Sequence, residues 1–219
     1  DIYDFEINKI SNPGRPLQKE IFRLKEYSDL GLILFILSLI GGLTVGAQFM
    51  FMLLVYQFIA WAYSAPPFRL KRFPIIATLM SSFASLIVLF MGFTLFSGDL
   101  HLRGLSLRII LLMIIALTLS LPIKDLKDIE GDKKYGVWTI PVLLGEERGR
   151  LAIAIGVFIS FMSSVFLMNE FRLFWWAVIF GGASFLLVTN KKINPRNIFW
   201  WILGMVSLYA FILTTVSFA

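Results

Sequence analysis

The sequence predicts an all-α polytopic membrane protein, a multi-span helical bundle, on three observations. Of its 219 residues, 58% are hydrophobic and 16% charged, whereas a soluble domain of ordinary composition is about a quarter charged. Seven apolar segments, most approaching the ~20 residues that cross a bilayer, fall at 30–47, 49–64, 74–97, 105–123, 150–168, 172–188 and 197–218. The polar connections alternate in charge. Residues 1–29, 65–73, 124–149 and 189–196, with Arg150 at the edge of the fifth segment, carry 17 of the 20 Lys and Arg. In lipid, backbone polar groups have to be satisfied within each span, so such a chain is read as helices.

Taken in order, residues 1–29 end their acidic opening in the turn chemistry of SNPGRP, residues 11–16. The segments 30–47 and 49–64 are short and share a turn near Gly46, as a tilted pair would. If each segment crosses once, Arg103 and Arg172 occupy the opposite loops and Arg108 lies just inside the fourth span. The positive-inside rule then makes the basic side cytoplasmic, and the net charge of +6 reports topology rather than nucleic-acid binding. Trp175, Trp176, Trp200 and Trp201 are read as interface anchors. There is no cysteine, and His101, on the far side, is the only histidine, which excludes thiolate sites and argues against imidazole metal sites.

Two acidic phrases interrupt this pattern on the basic side. DIYDFEIN spaces Asp1, Asp4 and Asn8 at i, i+3, i+7, and DLKDIEGD spaces Asp125, Asp128 and Asp132 the same way. On a helix each trio lies along one face, although Gly131 weakens the helix near the end of the second. Carboxylates so placed repel unless a cation lies between them. Oxygen donors without His or Cys suit Mg²⁺ or Ca²⁺, and Mg²⁺ typically joins one or two carboxylates to substrate phosphates. Arg15, Arg69, Lys71, Arg72, Lys124, Lys133 and Lys134 are at hand for the remaining phosphate charge, and the spans for a hydrocarbon tail. Charged loops ordinarily form a solvated face; two matching trios at span ends on one side outweigh that reading.

These phrases resemble the UbiA superfamily of intramembrane prenyltransferases. DIYDFEIN matches the superfamily's NDxxDxxxD from its second position, with Asn8 in place of the final Asp. DIEGDKKYGVWTIPVLLG, residues 128–145, is similar to the second motif and its tail, and YSAPPFRLKR, residues 63–72, to a third basic signature. The resemblance implies a nine-span fold. Residues 1–219 would form a single transmembrane prenyltransferase domain lacking its N-terminal one to two helices. It also implies transfer of a polyprenyl group from its diphosphate, with Mg²⁺ held by Asp1, Asp4, Asp128 and Asp132. Asp4, Asp128 and Lys71 are the expected catalytic residues. Arg15, Tyr63, Arg69, Lys71, Lys124, Asp125 and Asn8 are the expected diphosphate or substrate contacts, with no charge at Asn8 to bind metal strongly.

KDIEGDKKYG is most similar to archaeal members that add a second geranylgeranyl chain to geranylgeranylglyceryl phosphate, which makes that lipid the preferred acceptor. YSAPPFRLK is instead similar to the chlorophyll-synthase-like branch, and quinone-pathway aromatic acceptors form the alternative. A transporter, the reading from another class, predicts acidic residues deep within spans, and no Asp or Glu lies in the middle of one. The implied setting is the cell membrane, with the site facing the cytoplasm and no nucleic-acid partner.

Overall fold

A computed structural model describes residues 2–97 and 104–218, so Asp1, His101 and Arg103 lie outside the described residues. Among the described residues the regular elements are helices alone. Seven are long and apolar enough to cross a membrane, and they coincide with the seven segments expected from hydropathy. They are α2 (Leu24–Val45), α3 (Ala47–Ser64), α4 (Pro74–Ser97), α5 (Leu107–Ser120), α8 (Glu146–Met168), α9 (Phe174–Thr189) and α10 (Pro195–Phe218). Of three short helices, α1 (Phe5–Ser11) precedes them, and α6 (Ile129–Lys134) and α7 (Ile140–Leu144) lie between α5 and α8.

Polar residues extend several helices beyond the apolar stretches that mark them. Helix α2 begins at Leu24 rather than at 30, because Arg23 N–H donates to the Glu26 carboxylate at 2.9 Å and satisfies the exposed first turn. Helix α8 begins at Glu146, whose carboxylate reaches Arg150 at 3.1 Å. Helix α5 is capped by Ser106, whose hydroxyl accepts from Arg108 N–H. Gly46, at φ 150°, breaks α2 from α3 as the sequence suggests.

The second acidic phrase departs from the sequence reading. Asp125, Asp128 and Asp132 do not share one α-helix. Pro122 sits at the start of a 3₁₀ segment, Leu121–Lys127, that follows α5, and α6 starts only after Asp128. Proline lacks the N–H that the α ladder needs, and the chain tightens into i→i+3 geometry.

Helix α8 is the centre of the packing. Ile153, Ala154, Val157 and Val165 are buried against Ala177 and Val188 of α9, Ile198 and Ile202 of α10, and Ile123 and Leu126 of the 3₁₀ segment. Small residues allow the approach. A Cβ on Gly156 would meet the Leu119 carbonyl oxygen of α5 at 2.8 Å, and one on Gly181 would meet the Phe158 ring at 2.9 Å. Lipid tails are as apolar as Leu, so helices in a membrane associate through such close packing and through interhelical hydrogen bonds. Ser82 bonds to Thr118 at 2.8 Å between α4 and α5, and Ser164 bonds to Tyr209 between α8 and α10. Arg150, read from sequence only as a topology marker, is 4% exposed and donates to the Val188 carbonyl, tying α8 to α9.

Gly156→Ala is expected to lower the melting temperature of the detergent-solubilised protein by forcing α5 from α8, at a cost of about 1–3 kcal/mol. A thermal scan beside Gly182→Ala, where the added methyl meets nothing within 4 Å, checks it.

Candidate active site

Helix α1 lies against α6, and Gly131 makes the crossing possible. A Cβ there would run into the Ser11 hydroxyl and meet Ile7 Cγ2 at 3.3 Å. The glycine that looked like a helix weakness is therefore the point where the two acidic phrases meet. The 3₁₀ segment adds to this, since residues three apart eclipse each other in that geometry. It places Asp125 beside Asp128, with Lys124 and Lys127 likewise stacked.

The result is a cavity of about 250 Å³ that gathers most of the expected site. Asp4, Asn8, Arg15, Tyr63, Lys71, Lys124, Asp125, Asp128 and Asp132 all line it. Lys71 pairs with Asp4, and Arg69 stands behind the pair with one guanidinium nitrogen 3.4 Å from the same carboxylate. Lys124 donates to the Tyr63 hydroxyl at 3.1 Å and to Ser81 at 3.3 Å, which makes Tyr63 part of the site wall. Asp1 lies outside the described residues. Four cations named from the sequence do not line the cavity, Arg69 behind Asp4 among them. Arg72, Lys133 and Lys134 are exposed. Lys133 and Lys134 follow Asp132 directly on α6, and neighbours one or two positions along a helix point elsewhere. Arg72 instead accepts the Trp138 N–H on its carbonyl, joining the middle loop to the strand-like run before α7.

Sequence reasoning missed Asn12, Lys127 and Thr139. Asn12, taken only as a turn former, links the two phrases: its amide donates to Asn8 Oδ1 at 3.2 Å and to Asp128 Oδ1 at 3.3 Å. Its own oxygen accepts from Lys127 Nζ at 3.5 Å. The i+4 spacing from Asn8 was the available signal. Asn8 is buried, and its amide nitrogen has no hydrogen-bond partner among the described residues.

Charge in the cavity is balanced but crowded. Four carboxylates, Asp4, Asp125, Asp128 and Asp132, face four cations, Arg15, Lys71, Lys124 and Lys127. Burial pushes the Asp132 carboxyl up to about 7, with repulsion from Asp125 and Asp128 adding to it and Lys71 opposing. Among the described residues no three acidic or imidazole groups are grouped closely enough to hold one ion. The donor chemistry nevertheless fits a hard divalent cation: carboxylate oxygens, no sulfur, and a carboxyl that its neighbours resist ionising.

The Asp132 shift has a sign that can be measured. Its folded pKa lies above the unfolded value of 3.8. The folded state therefore holds a proton that the unfolded chain has lost, and the stability this contributes at low pH disappears as pH rises through about 7. Without divalent cations, the melting temperature is expected to fall between about pH 4 and 7, and Asp132→Asn to flatten that slope. An equal slope in the variant would contradict the assignment.

The sequence profile of the UbiA prenyltransferase family matches residues 1–201. The chain is 29% identical over 204 residues to a digeranylgeranylglyceryl phosphate synthase of Methanosphaera stadtmanae, covering 88% of this chain and 71% of that protein. It is 27% identical over 165 residues to the protein of that name from Pyrococcus horikoshii, covering 75% and 57%. It is 28% identical over 216 residues to a homogentisate phytyltransferase of Synechocystis, covering 91% and 64%. The chain thus spans between 57% and 71% of the length of these relatives. The fold is that of a UbiA homolog from Archaeoglobus fulgidus bound to GPP and Mg²⁺, with a TM-score of 0.69 at 18% identity over 100% of this chain and 81% of that one. On the profile match across nearly its whole length, and on a helical membrane fold shared with that homolog, the chain belongs to the UbiA prenyltransferase family.

Proposed function

We propose that residues 1–219 act as one transmembrane domain that transfers a polyprenyl group, preferably geranylgeranyl, from its diphosphate to a membrane-borne acceptor. The observation that carries this reading is the cavity in which Asp4 and Asn8 face Asp125, Asp128 and Asp132 across a rim of Lys and Arg. Its charges already balance, so a multiply anionic diphosphate fits only if cations enter with it. Asp4, Asp128 and Asp132, with Asp1, would hold Mg²⁺, which when bound neutralises the diphosphate and stabilises it as a leaving group. Lys71, Arg15 and Lys124 take the remaining phosphate oxygens, with Arg69 behind Asp4. Asn8 serves here as a donor rather than a metal ligand, because its buried amide N–H lacks a partner.

The tail has a place as well. A groove of about 280 Å³ between α3 and α4, lined by Tyr56, Ile59, Met80, Ala84 and Val88, shares Tyr63 with the polar cavity. Lys124, bonded to Tyr63 and Ser81, stands where the two meet. The allylic C–O bond would break there with its electron pair leaving on the diphosphate. The acceptor oxygen would bond to the freed carbon and give up its proton to the released diphosphate. The apolar groove beyond, with Ile59, Met80, Ala84 and Val88, would shield the cationic chain from water on that side.

Relatives named as digeranylgeranylglyceryl phosphate synthases support geranylgeranylglyceryl phosphate as acceptor. The likeness to a homogentisate phytyltransferase over 91% of the chain supports an aromatic acceptor as the second reading. A cation-transport role is disfavoured, because Asp and Glu in the described spans lie near their ends. The preponderance of Lys and Arg on the cavity side supports a cytoplasm-facing site in the cell membrane.

Purified protein given geranylgeranyl diphosphate, Mg²⁺ and each acceptor in turn is expected to form the ether product. A prenylated aromatic product without ether would transfer the assignment to the second reading. Asp4→Ala, Asp128→Ala and Lys71→Met are each expected to lower kcat/KM by about a hundredfold or more, measured by diphosphate release.

A further inference from the structure

Beside the acidic cavity lies a second one, of about 470 Å³, between the loop after α1, the 3₁₀ segment and the first turns of α10. Its polar wall is Asn12, Arg15, Lys124, Lys127 and Arg196, and its apolar wall is Phe199 and Trp200. No carboxylate lines it, whereas four line its neighbour. The two cavities share Arg15, Lys124 and Lys127.

Arg196 is held for a purpose at this wall. One guanidinium nitrogen donates to the Ser11 carbonyl at 2.7 Å, and its backbone N–H donates to the Asn194 side chain at 3.0 Å. Among the described residues its guanidinium forms no ion pair with a carboxylate, whereas the Lys127 ammonium contacts the Asn12 amide oxygen and also feels the Asp125 carboxylate. A planar guanidinium fixed on one edge presents its remaining N–H groups in a fork that suits phosphate oxygens. Trp200, 67% exposed, continues the wall toward the lipid-facing surface of α10.

We propose that this second cavity binds the phosphomonoester headgroup of the acceptor lipid, with Arg196 and Lys127 as its principal contacts and Phe199 and Trp200 against the start of its chain. The assignment rests on the prenyl-transfer reading above. The diphosphate belongs in the acidic cavity, where metal-binding oxygens are available. A phosphomonoester carries less charge than a diphosphate, and Arg196 offers it a fork of N–H donors that the acidic cavity does not share. A carboxylate on an aromatic ring presents fewer acceptor oxygens to that fork. The shared wall of Arg15, Lys124 and Lys127 then holds the acceptor's hydroxyl end beside the donor's reacting carbon, and that proximity is the catalytic gain.

The test uses the full chain in lipid nanodiscs and three variants of one residue. With a glycerol phosphate lipid bearing one geranylgeranyl chain, Arg196→Gln is expected to raise both KM and the donor-free dissociation constant roughly tenfold or more. Arg196→Lys should recover part of that loss, and Arg196→Ala should match the Gln variant. Mg²⁺-dependent binding of geranylgeranyl diphosphate should stay within about twofold of wild type in all three. The same lipid without its phosphate should show no difference between wild type and Arg196→Gln. An equal loss on the phosphate-free lipid would reduce Arg196 to a structural tether of the Ser11 loop and overturn the proposal. So would competition by inorganic phosphate as strong as that of the lipid, which would make this a free-phosphate site. Arg196-dependent binding of the lipid without transfer to any acceptor would defeat the prenyl-transfer reading and leave the phosphate site standing.

Discussion

The close approach of α1 to α6 is the constraint on which the candidate site depends. Two acidic phrases more than a hundred residues apart in sequence become one wall because Gly131 has no side chain to hold α6 away from Ser11 and Ile7 of α1. Asn12 then bonds across the junction to Asp128, and Lys127 to Asn12. A larger residue at 131 would separate carboxylates whose value lies in facing each other. Helix α6 is only six residues long, too short to be stable alone. It exists in this position because tertiary contacts hold it there.

The same approach explains why the charges tolerate their surroundings. Four carboxylates in a partly buried cavity repel strongly in a medium that screens weakly. The first phrase is answered by Lys71 and Arg69 from the loop between α3 and α4, and the second by Lys124 and Lys127 of the 3₁₀ segment that itself carries Asp125. The site is held ready by ion pairs that a ligand has to rearrange. Asp4 is engaged by Lys71 until something more strongly charged competes for both. The neighbouring cavity is lined by no carboxylate, and Arg196 adds to it a cation that the acidic cavity does not share.

Beneath this polar layer the bundle relies on shape. Helix α8 passes α5 at Gly156 and α9 beneath Gly181, and the hydroxyl pairs Ser82–Thr118 and Ser164–Tyr209 join neighbouring spans. The large apolar side chains of α2 face outward, as they should in lipid, where burial against protein offers Leu little advantage over burial against a hydrocarbon tail. Arg150 is the exception that shows the rule. Its guanidinium is buried because Glu146 and the Val188 carbonyl satisfy it.

By itself the sequence determined the fold class, the seven spans and the carboxylates that line the acidic cavity. Hydropathy and the placement of Lys and Arg are properties of local composition, and carboxylates spaced three apart share a face in either helical geometry. Tertiary structure alone decided which cations belong to the site. Lys127 faces it and Lys133 and Lys134 do not, because the 3₁₀ turn after Pro122 changes the angular position of every residue that follows. It also decided that Asn12 bridges the two phrases, that Gly131 marks a contact rather than a weakness, and that Arg196, 185 residues from Ser11, closes a second cavity beside the first. Those facts depend on which surfaces meet across the bundle, and no local spacing in the chain encodes a meeting of that kind.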